Sequence, residues 1–166
     1  MTYLRQTQAL TVNLTSIFLA VNLFGSFCGY VGMAYMSDCL GRRVMFAFSA
    51  AAATVTVLIY TQLHLPLFGL LLLGFPLGLF QSGIVSGMGA CFTELFPAQI
   101  RGTAGGFSYN FGRGIGTLVP AVVDLTSASL GLAPAIGIWA ALSYVLVFIV
   151  AIFLPETRNK ELEIHV

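Results

Sequence analysis

Charge is what this sequence has least of. Of 166 residues only 8% are Asp, Glu, Lys or Arg, seven basic against six acidic, whereas 58% are hydrophobic. A water-soluble domain carries about 25% charged residues, so these few side chains cannot cover a hydrated surface. A soluble enzyme is not expected. A disordered chain is excluded, because disorder needs low hydrophobicity and high charge. A net charge of +1 and an isoelectric point near 7.7 leave no basic footprint for a nucleic-acid partner. Histidine is down to His64 and His165, and the three cysteines, Cys28, Cys39 and Cys91, lack metal-ligand spacing. No metal site, disulfide framework or cofactor is therefore implied. Strand-like alternation is missing too. Runs such as Leu70-Leu71-Leu72-Leu73 are continuously apolar, which argues against a membrane β-barrel.

What the sequence has in abundance is uncharged stretches of membrane-crossing length. Between Gln6 and Ser37 lie 32 residues without an acid, lysine or arginine; Val44 to Thr93 gives 50 more and Leu125 to Pro155 another 31. A helix needs about 20 apolar residues to cross the hydrocarbon core. The longest stretch is divided by Thr61-Gln62-Leu63-His64-Leu65-Pro66, and a further stretch between Arg101 and Asp124 is interrupted only by Arg113. The pattern predicts an all-α transmembrane fold, a single domain with five spans at 11–34, 44–60, 66–90, 103–126 and 133–154, and a tail over 155–166. The glycine pairs Gly25/Gly29, Gly74/Gly78 and Gly83/Gly87 are four residues apart. That spacing allows close helix approach in lipid, and packing within the bundle is expected rather than a dedicated homodimer face.

Basic residues orient the chain. With the N-terminus outside, Arg42, Arg43, Arg101, Arg158 and Lys160 fall on the inner side and only Arg5 on the outer. The positive-inside rule therefore favours a cytoplasmic C-terminus. A cleaved leader over residues 1–25 is disfavoured, since one arginine is a weak basic region and the apolar run exceeds the usual length. The expectation is the latter part of something longer.

Three charged clusters then share one membrane face. The first reads Asp38-Cys39-Leu40-Gly41-Arg42-Arg43 and the second runs from Glu94 through Pro97 to Arg101-Gly102. The third reads Pro155-Glu156-Thr157-Arg158, followed by Leu162-Glu163. In this order and at these spacings the chain resembles the C-terminal half, helices eight to twelve, of a major facilitator superfamily transporter. The first cluster is similar to that family's D-x-x-G-R-R loop, the second to its E-x-x-P-x-x-x-R-G element, and the third to the P-E-T-[KR] sequence of sugar porters and metabolite symporters. Two positions depart from the pattern: Ala34 stands where glycine is expected, and Cys39 where a basic residue is expected. The resemblance implies a conformational charge network of Asp38, Arg42, Arg43, Glu94, Arg101, Glu156 and Arg158. It also implies solute binding between two halves that rock against each other. Transport would then require the missing N-terminal half or a partner chain.

Arg113 is the one basic residue well inside a span. Such a charge costs about 2.5–3.5 kcal/mol on insertion scales and is a functional candidate by default. At helical spacing Gly106, Tyr109, Asn110, Arg113, Gly116, Thr117, Pro120 and Asp124 form a drifting polar stripe. It is expected to face the bundle interior, with Phe107, Ile115 and Leu118 turned toward lipid. Asp124 lies eleven residues from Arg113, about 16 Å along a helix and too far for contact. It reads as an interface residue rather than a proton carrier. Arg113, Asn110, Tyr109 and Thr117 are the candidate substrate-binding residues, with the guanidinium gripping an anion. The alternatives are an ion pair with an acid outside this chain, or hydrogen bonds to carbonyls across the glycine-rich interface.

Gly105-Gly106-Phe107-Ser108-Tyr109-Asn110-Phe111-Gly112-Arg113 is similar to the eleventh helix of bacterial metabolite:proton symporters, among them the sialate and lactate permeases and the aromatic acid symporters. That resemblance implies proton-coupled uptake of a small organic anion, such as a monocarboxylate or sugar acid, across a bacterial inner membrane. A porter for a sugar or other neutral solute, and a truncated half that does not transport alone, are the competing readings. The expected partners are the lipid bilayer, a small solute and protons.

Overall fold

In a computed structural model the described residues are 12–63 and 66–155. They form six helices: α1 Val12–Leu40, α2 Arg42–Gln62, α3 Leu67–Leu95, α4 Arg101–Gly116, α5 Val119–Leu130 and α6 Leu132–Phe153. No strand occurs among them. Four helices, α1, α2, α3 and α6, are each long and apolar enough to cross a membrane.

Glycine sets the central pairing, α1 against α3. A Cβ on Gly25 or Gly29 would fall on the backbone carbonyls of Phe75 or Leu79, and one on Gly78 would fall on the carbonyl of Asn22. Such close backbones let short polar side chains bridge them. Asn22 Nδ2 donates to the Gly74 carbonyl at 3.0 Å and Ser26 Oγ to the Gly78 carbonyl at 3.5 Å. Farther along α3, Gly83 makes room for Met33, and Gly87 for Met45 and Phe46. All three glycine pairs thus serve packing inside the bundle. They sit beside a core of Met33, Met45, Phe46, Ala50, Ile84, Cys91 and Ala151 contributed by α1, α2, α3 and α6. The hydroxyl of buried Ser49 points between the sulfurs of Met33 and Met45, at 3.6 and 3.7 Å.

The helix ends depart from the expected spans for definite reasons. α1 does not stop at 34. It runs through Ser37 and Asp38 to Leu40, and the expected loop shrinks to Gly41, whose φ of 101° and ψ of 159° suit glycine alone. The Gly41 N–H still closes α1 on the Ser37 carbonyl at 3.1 Å, while its own carbonyl starts α2 by accepting from Met45. α3 likewise runs past 90 to carry Glu94 in its last turn.

The fourth expected span, 103–126, is not one helix. Thr117 and Leu118 form a turn between α4 and α5 in which Leu118 N–H reaches only to Ile115, at 3.0 Å, instead of four residues back. Pro120 is the cause: it has no N–H to give the Gly116 carbonyl and its ring crowds that group. Pro76 lies inside α3 without breaking it; there α1 is packed against both neighbouring turns. At Gly131 (φ 85°) the chain reverses into α6. Trp139 Nε1 then donates to Thr126 Oγ1 at 3.1 Å and fastens α5 to α6.

Candidate functional site

The charged side chains gather where α1 and α3 end and α2 begins. Arg42, the residue after the Gly41 turn, reaches in two directions. Its Nη2 donates to Glu94 Oε1 at 2.8 Å, and Nε lies 3.2 and 3.3 Å from the two Glu94 oxygens. Its Nη1 donates to Asp38 Oδ1 at 2.7 Å and to Ser37 Oγ at 2.6 Å. The Arg42 and Glu94 side chains are 13% and 15% exposed, against 68% for Asp38. Arg42–Glu94 is therefore the sheltered pair that ties α2 to α3, and Asp38 is a peripheral partner one turn away on the sequence.

The expected network is accordingly narrower in the structure. Asp38, Arg42 and Glu94 come together. Arg43 is exposed and has no ion-pair partner among the described residues. It follows Arg42 directly on the helix, so its side chain leaves about 100° around the axis from its neighbour. Arg101 sits at the start of α4 and donates through Nε to the Phe96 carbonyl at 3.3 Å, closing the α3–α4 connection, and it meets no acid among the described residues. Glu156 and Arg158 lie outside the described residues. Sequence reasoning missed Ser37, buried at 1% exposure; its place one turn before Gly41 was the available signal.

The polar stripe of α4 does not face the bundle. No residue of α4 is buried. Its half-buried positions are Arg101, Ala104, Gly105 and Ser108, an i, i+3, i+4, i+7 pattern. A Cβ on Gly105 would lie 3.6 Å from Phe92 Cβ of α3. Glycine and alanine in that row give α3 the shallow contact. Arg113 lies about a third of a turn round from this row, and it is exposed together with Tyr109, Asn110 and Thr117. Phe107, Ile115 and Leu118, expected on the opposite side, are exposed as well. The expectation of an inward-facing stripe is thus overturned: α4 offers its flank away from the other helices.

Along that flank the candidate residues are close together. The Arg113 guanidinium carbon lies 5.8 Å from the centre of the Tyr109 ring, one turn earlier. Asn110 Nδ2 is spent on the Gly106 carbonyl at 2.8 Å, and Thr117 Oγ1 donates to the Gly114 carbonyl at 2.6 Å. Among the described residues Arg113 has no ion-pair partner. Asp124 is exposed on α5, beyond the Pro120 break. The guanidinium donors, the phenol and the free Asn110 carbonyl oxygen can together accept an anion with a neighbouring hydroxyl. No group of three or more metal-ligating side chains occurs among the described residues. A cavity of about 250 Å³ lies between α2, α3 and α6, lined by Phe46, Ile84, Met88, Cys91, Val147 and Ala151 among others, and it is apolar.

The family described as Major Facilitator Superfamily matches residues 1–164. The chain is 34% identical over 159 residues to a probable 4-methylmuconolactone transporter of Cupriavidus pinatubonensis, covering 96% of this chain and 36% of the relative. It is 30% identical over 162 residues to a putative metabolite transport protein of Haemophilus influenzae, covering 97% and 39%. Over 134 residues it is 30% identical to the cis,cis-muconate transport protein of Acinetobacter baylyi, covering 78% and 31%. The match thus spans between 31% and 39% of the length of these relatives. No solved structure matches.

Proposed function

The chain belongs to the Major Facilitator Superfamily, and on that premise we propose that it forms part of a secondary active transporter taking up a small organic anion together with protons. The observation that carries this reading is Arg113. It stands near the middle of the α4–α5 crossing, on an exposed polar flank, without an acid among the described residues to neutralise it. A charge so placed needs a compensating anion, and a planar guanidinium binds a carboxylate through two parallel hydrogen bonds. Tyr109, Asn110 and Thr117 line the same flank. The relatives named for 4-methylmuconolactone and for cis,cis-muconate are consistent with small unsaturated organic acids as the solute class.

In this reading α4 and α5 together make the fourth of five crossings. The chain runs from outside to a cytoplasmic tail in a bacterial inner membrane, as the basic residues favour. Asp38, Arg42 and Glu94 latch the cytoplasmic helix ends. One bundle cannot enclose a solute against α4; a second, supplied by further sequence or by a partner chain, completes the path.

The test is uptake of labelled cis,cis-muconate, benzoate, lactate and glucose by the transport-competent assembly carrying Arg113 or Arg113→Gln. The proposal expects uptake of at least one acid, reduced tenfold or more by the substitution. Unchanged uptake of every carboxylate in the Arg113→Gln protein removes the site assignment. Uptake of glucose without any acid makes the protein a neutral-solute porter in which Arg113 pairs with a carboxylate elsewhere.

A further inference from the structure

Solute binding along α4 makes no use of the apolar cavity between α2, α3 and α6. We infer that this cavity seats one acyl chain of an anionic phospholipid whose headgroup is held at Arg43. The lipid site stands independently of which solute Arg113 meets.

The walls of the cavity decide what it can accept. Phe46, Ile84, Met88, Cys91, Val147 and Ala151 offer an entering molecule little to hydrogen-bond. A carboxylate or a sugar would lose its water there without replacement, which rules against the transported solute as the occupant. Water is no better, since apolar cavities stay dry. A hydrocarbon chain loses nothing on entry and restores the dispersion contacts that an empty wall forgoes. An apolar cavity of about 150 Å³ takes up benzene. The one here, at about 250 Å³, has room for about ten carbons of a chain.

Its position suits a lipid tail. Leu146 and Val150 of α6 line it and are 62% and 55% exposed, so the mouth opens on the flank of α6. Phe46 comes four residues after Arg42, and Cys91 three before Glu94. The cavity therefore begins about 6 Å, one helical turn, from the charged cluster. That is the depth at which acyl chains leave their headgroups.

Arg43 supplies the complementary charge. It is exposed and has no ion-pair partner among the described residues. Arg43, Phe46, Ala47 and Ala50 follow the i, i+3, i+4, i+7 spacing of one helix face. Phe46 lines the cavity, and Ala50 shares the core with Ala151 of α6. The two helices run antiparallel, for a Cβ on Gly137, early in α6, would strike Thr61 at the far end of α2. Arg43 thus stands beside the end of α6, one turn outward from the cavity. Arg42 is already engaged by Glu94, Asp38 and Ser37, which leaves Arg43 to meet a phosphate through its planar donors. Basic groups beside pockets between membrane helices hold anionic headgroups. Phosphatidylcholine brings an ammonium of its own and is expected to bind less well.

Quenching of a single tryptophan by brominated lipid tests this in phosphatidylcholine bilayers. Trp139, the one native tryptophan, is replaced by phenylalanine, and the probe is placed at Leu146→Trp. Val145→Trp is the reference: it is exposed at nearly the same depth, about 100° round the helix from the mouth. Phosphatidylglycerol with brominated chains is expected to half-quench position 146 at a mole fraction about fivefold below that needed at 145, the preference that one basic residue near the surface supplies. Arg43→Gln should abolish that difference and Arg43→Lys should keep most of it, while Val150→Phe, which crowds the mouth, should weaken it. Brominated phosphatidylcholine should quench the two positions alike. Equal curves for phosphatidylglycerol at 145 and 146 overturn the inference, and so does a preference that survives Arg43→Gln. Weaker quenching at 146 than at 145, as when a second copy of the chain covers the mouth, overturns it too.

Discussion

Arg42 divides its hydrogen bonds between two acids of unequal shelter, and their removal should cost unequally. Glu94, 15% exposed and bonded through both Arg42 Nε and Nη2, is expected to lose about 1–3 kcal/mol of stability as Glu94→Gln. Asp38→Asn, at a 68% exposed position, should cost below about 1 kcal/mol. Unfolding in mixed detergent, followed by circular dichroism, measures both, and equal losses would refute the ranking. The glycine between these groups is a backbone requirement. With Gly41 at φ 101° and ψ 159°, Gly41→Ala should cost about 1–3 kcal/mol in the same assay. Arg113 invites a different experiment. Arg113→Lys keeps the charge but loses the planar fork, so acid uptake by the transport-competent assembly is expected to fall several-fold, and further with glutamine. Equal uptake by the arginine and lysine forms would mean that charge alone is read.

Among the helices, packing decides where glycine and proline matter. Gly25→Ala and Gly78→Ala put a methyl onto an opposing carbonyl and should separate α1 from α3; Gly112→Ala meets nothing and should be neutral, or stabilising by up to about 1 kcal/mol. Thermal aggregation of detergent-solubilised variants distinguishes them, and a tolerated Gly78→Ala would contradict the close approach. The same contrast explains what could be foreseen. The charge-free runs announced the long helices, since few polar groups interrupt them, and the four-residue glycine spacing announced close packing within the bundle without saying which helices meet. The Asp38, Arg42 and Glu94 cluster was legible because the motif spacing puts all three at helix ends on one face. The continuation of α1 to Leu40 was not, because an acid and a glycine suggest a loop until Gly41 alone is seen to make the turn. Nor was the break at Thr117–Leu118, for Pro76 and Pro120 look alike in sequence. What separates them is tertiary: α1 braces the helix around Pro76, whereas Pro120 follows an unbraced, glycine-rich turn. The facing of the Arg113 stripe was misjudged for a related reason. Helical periodicity groups residues on one flank but does not say which flank the neighbours occupy.

For the molecule as a whole, the long apolar helices and their exposed apolar surface argue for a bundle embedded in lipid. Orientation can be read with a native probe. Cys39 is exposed at the end of α1, whereas Cys91 is buried. A membrane-impermeant maleimide is expected to label Cys39 in inverted vesicles and not in right-side-out ones; the opposite pattern would invert the topology. The account depends most on Arg113 facing a water-accessible path rather than lipid. A nitroxide at Arg113→Cys, in the transport-competent assembly, tests this through its collisions with a water-soluble nickel chelate and with oxygen. The prediction is strong relaxation by the nickel chelate, reduced when a transported carboxylate is added. Relaxation by oxygen alone, unaffected by any acid, would place the position against acyl chains and contradict the account.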